Sequence, residues 1–258
     1  MIVDLHNHTK LCNHAEGELE EYVEEAIKKG IKYFGFSDHA PMNFDEKYRM
    51  KFSDMKRYEQ SIRDLNKQYK DIEILLGYEV DFLPNYMDKR VLNANVDYLI
   101  GSVHFINGWG FDNPEFIGEY QNRDIDKIWE EYFEAVEKMA KSDLFDIVGH
   151  IDLIKVFKYL PKKEIKLIVK DAIKEIKKAD MTVELNMAGY KKPINELYPS
   201  TDILEMIQEY DIPVTFGSDA HKPEEICKYE DRLKDVLERF DFKKCAVFKN
   251  RDRKLLNF

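Results

Sequence analysis

Residues 2–9 read I-V-D-L-H-N-H-T. Ile2–Leu5 is a short apolar run of the kind that forms a strand, and it passes directly into His6-Asn7-His8. In an extended segment, residues i and i+2 project to the same side, so His6 and His8 can grip one ion together. Taken alone, an H-x-H is a weak signal. Its weight here comes from recurrence along the chain. Six further strand-like runs are Tyr33–Ser37, Glu73–Val80, Tyr98–Val103, Asp146–Gly149, Thr182–Asn186 and Pro213–Ser218. Their ends read Ser37-Asp38-His39, Gly77-Tyr78-Glu79, Ser102-Val103-His104, Val148-Gly149-His150, Glu184-Leu185-Asn186 and Gly217-Ser218-Asp219-Ala220-His221. With His14 in the loop after the first run, all 7 histidines lie at a strand end or just beyond one.

Between these runs lie helical patterns. Leu19, Tyr22, Val23, Ala26 and Ile27 recur at helix spacing, with Gly30 as a stop. Ile125, Ile128, Trp129, Tyr132, Phe133, Val136 and Met139 form a wide apolar stripe after Asp124, a fitting N-cap. Ile165, Ile168, Val169, Ala172, Ile173 and Ile176 repeat the pattern after Pro161. Weaker helical patterns cover Ser53–Tyr69, Ser200–Tyr210 and Tyr229–Phe240, and Asp202 with Glu205 fits a capping box. Strands that alternate with helices pair in parallel, because parallel neighbours need crossovers. The runs lack polar/apolar alternation, as strands covered on both faces do. The expected class is therefore α/β, a barrel whose C-terminal strand ends converge on one mouth. The long loops, Ala40–Phe52, Phe105–Arg123 and Met187–Pro199, all leave that same end.

Composition narrows the function classes. The chain has 258 residues, 44% hydrophobic and 35% charged. No apolar run approaches the roughly 18–20 residues of a membrane span, and because a strand pattern begins at once, no signal peptide is expected. No linker divides the chain, so residues 1–258 are expected to form one domain. A net charge of −10 without a basic cluster speaks against nucleic acid. The cysteines, Cys12, Cys227 and Cys245, are odd in number and widely spaced, which fits a reducing cytoplasm. Cys12 lies between His8 and His14 and reads as a buried thiol or as a soft ligand. Oligomeric state is not legible.

Packing offers no reason to put every imidazole at one kind of position, whereas metal binding does. His6, His8, His14, His39, Glu79, His104, His150, Asp219 and His221 are too many donors for one ion. They suit two or three divalent ions, with Glu79 as the natural bridge because a carboxylate has two oxygens. Nitrogen and oxygen donors suit zinc, manganese or iron.

The order of these pieces resembles the PHP (polymerase and histidinol phosphatase) family of metal phosphoesterases. It is carried by D-L-H-N-H-T at Asp4–Thr9, His14, S-D-H at Ser37–His39, G-Y-E at Gly77–Glu79, S-V-H at Ser102–His104, G-H at Gly149–His150 and G-S-D-A-H at Gly217–His221. Within the family the chain looks most like the histidinol-phosphate phosphatases. That narrower likeness rests on G-H-I-D-L-I-K at Gly149–Lys155, E-L-N-M-A-G-Y-K-K-P at Glu184–Pro193 and Y-P-S at Tyr198–Ser200. The resemblance implies a single distorted (β/α)7 barrel with a trinuclear site. His6, His8, Glu79 and Asp219 would hold one metal, Glu79, His104 and His150 a second, and His14, His39 and His221 a third. Relatives often carry arginine at the positions of Lys155 and Lys191 to grip a substrate phosphate, a grip that lysine matches in charge but not in its bidentate fork. Arg123, closing a long loop, is another candidate phosphate contact.

The expected chemistry is hydrolysis of a small phosphate monoester by a metal-bridging hydroxide, since bound metal lowers the pKa of water from about 15.7 to about 7. Asp38 and Asp152 are candidates for protonating the leaving alkoxide or for orienting histidine ligands. Phe105, Trp109, Phe111 and Tyr190 are candidates for an aromatic wall. Three alternatives remain open. One is a relative acting on a nucleotide, a phosphotyrosine or a DNA 3′ end, and another is a metal-binding module without catalysis. The third is an amidohydrolase, which usually adds a metal-bridging lysine; no lysine ends a strand here.

Overall fold

Strand β3 (Glu73–Asp81) carries E-I-L-L-G-Y-E-V-D, with every residue after Glu73 buried, and it shows why these runs become strands. Both of its faces are covered, so apolar residues follow one another without alternation. In the computed structural model, which describes residues 1–258, β3 sits between β2 (Tyr33–Phe36) and β4 (Tyr98–Ser102), with Tyr33 opposite Glu73 and Gly77 opposite Tyr98. β1 (Val3–Asp4) flanks β2. The short hairpin of β5 (Phe105–Ile106) and β6 (Trp109–Gly110) stands outside the main sheet. β7 (Ile147–Val148), β8 (Thr182–Asn186) and β9 (Val214–Gly217) continue it in the order β1-β2-β3-β4-β7-β8-β9, every pairing parallel.

The first and last strands close on each other. The Leu5 amide donates to Phe216 O at 2.9 Å and the Asp219 amide to His6 O at 2.7 Å. The result is a seven-stranded parallel barrel. It is irregular because β1 and β7 span only two residues each.

The helices are α1 (Leu19–Lys28), α2 (Met55–Gln68), the single turn α3 (Lys89–Leu92), α4 (Ile125–Lys141), α5 (Ile165–Lys178), α6 (Thr201–Glu209) and α7 (Glu230–Arg239). α4 buries Ile128, Trp129, Tyr132, Phe133, Val136 and Met139 in one stripe, and the Asp124 carboxylate caps it by accepting from the amides of Asp126 and Lys127. Each such large apolar side chain contributes about 1.5–3 kcal/mol when buried. No helix is long and apolar enough to cross a membrane.

Two expectations are corrected. The Asp202–Glu205 capping box does not form. α6 starts after Ser200, whose side chain makes no capping bond and whose amide is drawn instead to Asp152 Oδ2 at 2.7 Å; Glu205 pairs with Lys166. Sequence periodicity also missed an antiparallel hairpin, β10 (Lys244–Lys249) with β11 (Asp252–Asn257). Cys245, Ala246, Val247 and Phe248 of β10 are buried, and Thr215 Oγ1 donates to Ala246 O at 2.9 Å. The Arg251 amide reaches Asp97 O at 2.9 Å, and its guanidinium pairs with Asp146. Asp97 and Asp146 immediately precede β4 and β7, so the hairpin seals the end of the barrel opposite the mouth.

Candidate metal centre

Parallel strands place their C-terminal ends on one rim, and the barrel delivers its imidazoles there. The extended path of β1 continues through Asn7, which bridges to Ala220, so His6 and His8 face the same way with ring centroids 5.1 Å apart. β3 carries Glu79 to the middle of the rim. Around its carboxylate stand His150 Nε2 at 2.8 Å, His39 Nδ1 at 2.9 Å, His6 Nε2 at 3.4 Å, His104 Nε2 at 3.6 Å and His8 Nε2 at 3.7 Å. Asp219 Oδ1 lies 3.2 Å from His8 Nε2. Asp219 has φ +50, a left-handed conformation that aspartate tolerates better than most residues, and it lets the chain turn from the end of β9 into His221. His14 Nε2 and His221 Nε2 are 3.0 Å apart. All nine donors named from the sequence therefore converge on one volume. Eight of them form three groups, each with ligand atoms within 4.8 Å of one another: His6, His8 and Glu79; Glu79, His104 and His150; His14, His39 and His221; Asp219 stands beside the first, against His8. Cys12 approaches His8 and His221, but burial pushes its thiol well above the ordinary range, which keeps it protonated.

The inward nitrogens are set from behind. His6 Nδ1 donates to Glu184 at 2.7 Å and His104 Nδ1 to Asp81 at 2.5 Å, while His8 Nδ1 faces Asp38 at 3.4 Å. A proton held on Nδ1 leaves the Nε2 lone pair free to bind an ion. Gly217 makes room for one of these supports, because a Cβ there would collide with the Glu184 carboxylate and with the His6 side chain.

The donor set fits divalent cations. His6 Nε2, His8 Nε2 and Glu79 Oε2 are buried without a hydrogen-bond partner, an expensive arrangement that a cation satisfies. The charges agree. Burial resists protonation of His6, yet Glu184, Glu79 and Asp219 override it and raise its pKa well above the usual value. The same contest, against Asp81 and Glu79, lifts His104 to about 10. Burial favours the neutral acid at Glu79, but His6, His39 and His104 hold it well below the carboxylate range. Asp219 is likewise depressed, by His6 and His8 against burial. These carboxylates demand positive charge at their centre. Burial and the charge of His8 lower His39 to about 4, and the same two causes hold His221 well below the usual histidine value. Burial also lowers His14. The third group is thus neutral imidazole, the form that binds metal.

The other expected contacts divide. Lys191 lines the cavity beside Glu79, His104, His150 and Asp219, with Nζ 2.6 Å from Glu225. Lys155 does not reach it. Its side chain is buried, 3.0 Å from Asp152 and donating to Leu197 O at 2.7 Å, and it braces the segment before α6. Arg123 also stands away, paired with Glu131 at 2.5 Å over the Trp109 ring. Asp152 holds Lys155 and the Ser200 amide, so it neither lines the cavity nor touches a histidine. Asp38 sits behind His8, the orienting role of its two alternatives. Of the expected wall, Phe105 lines the mouth, whereas Phe111 is wholly buried and Tyr190 packs on Tyr229. Trp109 lies edge-on to Tyr120 beneath the Arg123 guanidinium. Sequence reading overlooked Glu184 and Asp81 as supports, and Lys192, Asp112 and Tyr198 as cavity residues. Glu184 carried a signal, since it is a charged residue between apolar neighbours in a run read as buried.

The chain belongs to the PHP domain family, whose profile matches residues 4–188, and a PHP-associated profile matches residues 202–229. It is 36% identical over 242 residues to a Deinococcus radiodurans protein named "Probable histidinol-phosphatase", covering 91% of this chain and 92% of that one. A Bacillus subtilis "Histidinol-phosphatase" is 29% identical over 252 residues, covering 85% and 93%. The fold is shared with a solved Lactococcus lactis histidinol phosphate phosphatase complexed with zinc, L-histidinol and phosphate, with TM-score 0.77, 19% identity and 98% coverage of both chains.

Proposed function

We propose that this chain hydrolyses L-histidinol phosphate to L-histidinol and phosphate, the phosphatase step of histidine biosynthesis, with residues 1–258 acting as one functional unit. One observation carries the reading: eight nitrogen and oxygen donors gather with Glu79 at one rim, with buried ligand atoms left unpaired. The likeness to proteins named histidinol-phosphatase over nine-tenths of this chain supports the substrate. Free, buried cysteines fit a cytoplasmic enzyme.

Two or three divalent ions, zinc foremost, would be held by His6, His8, Glu79 and Asp219, by Glu79, His104 and His150, and by His14, His39 and His221. Ions so held supply positive charge to phosphoryl oxygens and acidify water. The protein's own part is positional. Glu184, Asp81 and Asp38 fix the tautomers of three imidazoles, so the donor atoms need no rearrangement during reaction. Lys191 places an ammonium on the cavity wall, where it attracts the ester dianion. The barrel rim holds Glu79, Glu184, Asp81 and the imidazoles they set on or directly after strands, which preserves the geometry an in-line displacement needs.

The test is elemental analysis of purified protein combined with phosphate release from L-histidinol phosphate, nucleoside monophosphates, phosphotyrosine and a 3′-phosphorylated oligonucleotide. Metal-dependent turnover that favours histidinol phosphate is the expected result. Preference for another ester moves the substrate within the family, and bound metal without any turnover leaves a metal-binding module.

A further inference from the structure

Two cavities meet at the mouth. The inner one, about 330 Å³, holds the metal donors. The outer one, about 280 Å³, extends beneath the loops that follow β2 and β4. Four residues line both: His14, His39, His104 and Asp112. Three belong to the donor set. Asp112 does not, and the only hydrogen bond acting on its carboxylate comes from its own backbone amide. A half-buried acid at such a junction, with no fixed partner, is open to a ligand.

The surroundings of Asp112 define that ligand. The outer cavity carries the carboxylates of Asp45, Asp81 and Asp112 against Arg49 and His104, and Lys192 faces Asp112 from the inner cavity. The Arg49 guanidinium is already engaged, with Nη1 2.8 Å from Asp81 and Nη2 3.6 Å from Asp45. Asp81 is further tied to His104. Arg49 and His104 are thus both engaged by Asp81, and Asp112 feels His104 and Lys192 only through space, with no side chain hydrogen-bonded to its carboxylate. The walls are aromatic, formed by Tyr48, Phe105 and Phe116, with Phe105 held edge-on by Phe44 at 5.0 Å. Ring faces and a desolvated carboxylate together recognise an organic cation.

We propose that Asp112 is a specificity-determining residue. It binds the positively charged part of the leaving alcohol, an ammonium or imidazolium, and so restricts the enzyme to phosphomonoesters of cationic alcohols. This rests on the phosphomonoesterase reading above and adds to it the class of alcohol accepted.

Metal-loaded wild type, Asp112→Asn and Asp112→Glu should be compared on L-histidinol phosphate, phosphoethanolamine and 2-hydroxyethyl phosphate. The last ester has an uncharged alcohol. Loss of a charge-assisted hydrogen bond predicts that Asp112→Asn lowers the cationic-to-uncharged ratio of kcat/KM by about 10- to 100-fold, mainly through KM. Asp112→Glu should recover part of that ratio, and metal content should match wild type. An equal loss on all three esters, seated in kcat, would instead make Asp112 the proton donor to the alkoxide and overturn the proposal. An unaltered ratio, or loss of metal, overturns it too. If wild type cleaves the two small esters but not histidinol phosphate, the substrate assigned above fails, and the ratio between the small esters still decides Asp112. If nothing is cleaved, calorimetry with L-histidinol decides: Asp112→Asn must weaken binding at least about 10-fold, and equal affinities refute the proposal.

Discussion

Glu184→Gln isolates the supporting role of a carboxylate that touches no ion. Glu184 is buried and accepts from His6 Nδ1 at 2.7 Å, from the His150 amide at 2.8 Å and from Asn186 Nδ2 at 3.0 Å. Glutamine preserves the volume but has a single acceptor oxygen. Its NH2 must then face either the His6 N–H or the His150 amide, donor against donor. The exchange removes a charge-assisted bond, worth about 1.5–3 kcal/mol, which corresponds to about 10- to 100-fold in affinity. The same range is found when a partner behind a metal-bound histidine is removed. The loss should be local. His6 belongs to the first group and His150 to the second, while His14, His39 and His221 touch Glu184 nowhere. Competitive chelator titration should show weakened ions at the first two groups, with one class of sites unaltered. Thermal melting of the metal-free protein controls for misfolding. Uniform weakening of every ion, or unchanged affinity throughout, would refute the assignment of Glu184 as the residue that aims His6.

Four further outcomes are expected. In the metal-free protein, His104 is raised from its ordinary value to about 10, so its protonated form stabilises the fold fully below about pH 6.5 and progressively less as pH rises through about 10. Melting temperatures across that window should fall with pH, and a flat profile would contradict the ion pair with Asp81. Because loading expels that proton, apparent metal affinity should climb over the same interval, which proton release on titration with zinc measures directly. Lys155→Met strands the buried Asp152 carboxylate and should cost about 3–5 kcal/mol of stability by denaturant unfolding while metal content is retained; a raised KM at full stability would return Lys155 to the phosphate. Lys191→Ala should raise KM and the inhibition constant for inorganic phosphate by about 10-fold, with the ions still bound, and an unchanged phosphate inhibition constant would remove it from the site.

The strands were legible because burial on both faces leaves an uninterrupted apolar run, and their ends were legible because histidine is scarce. Carboxylates gave no comparable contrast. With 50 Asp and Glu in the chain, Asp81 and Asp112 do not stand out, although Asp81 lies two residues beyond Glu79 in a strand that outlasts its expected end. The hairpin β10–β11 stayed hidden because its turn, Asn250-Arg251, takes positive φ at both residues without the glycine that usually marks such turns. Lys155 misled for a related reason. The family resemblance sets it at the substrate phosphate, but only its contacts with Asp152 and Leu197 reveal that its ammonium is held inside the protein body.

Glu79 and the two histidines that follow β1, His6 and His8, sit on a closed barrel and are sealed from solvent, whereas His14 hangs on a loop and is open to it. The centre is therefore mechanically graded from the wall outward. Ions held nearest the wall would be near-permanent fixtures, and one bordering solvent would trade with its surroundings. The history of a sample, its buffers, chelators and culture medium, will be written in that outer position first.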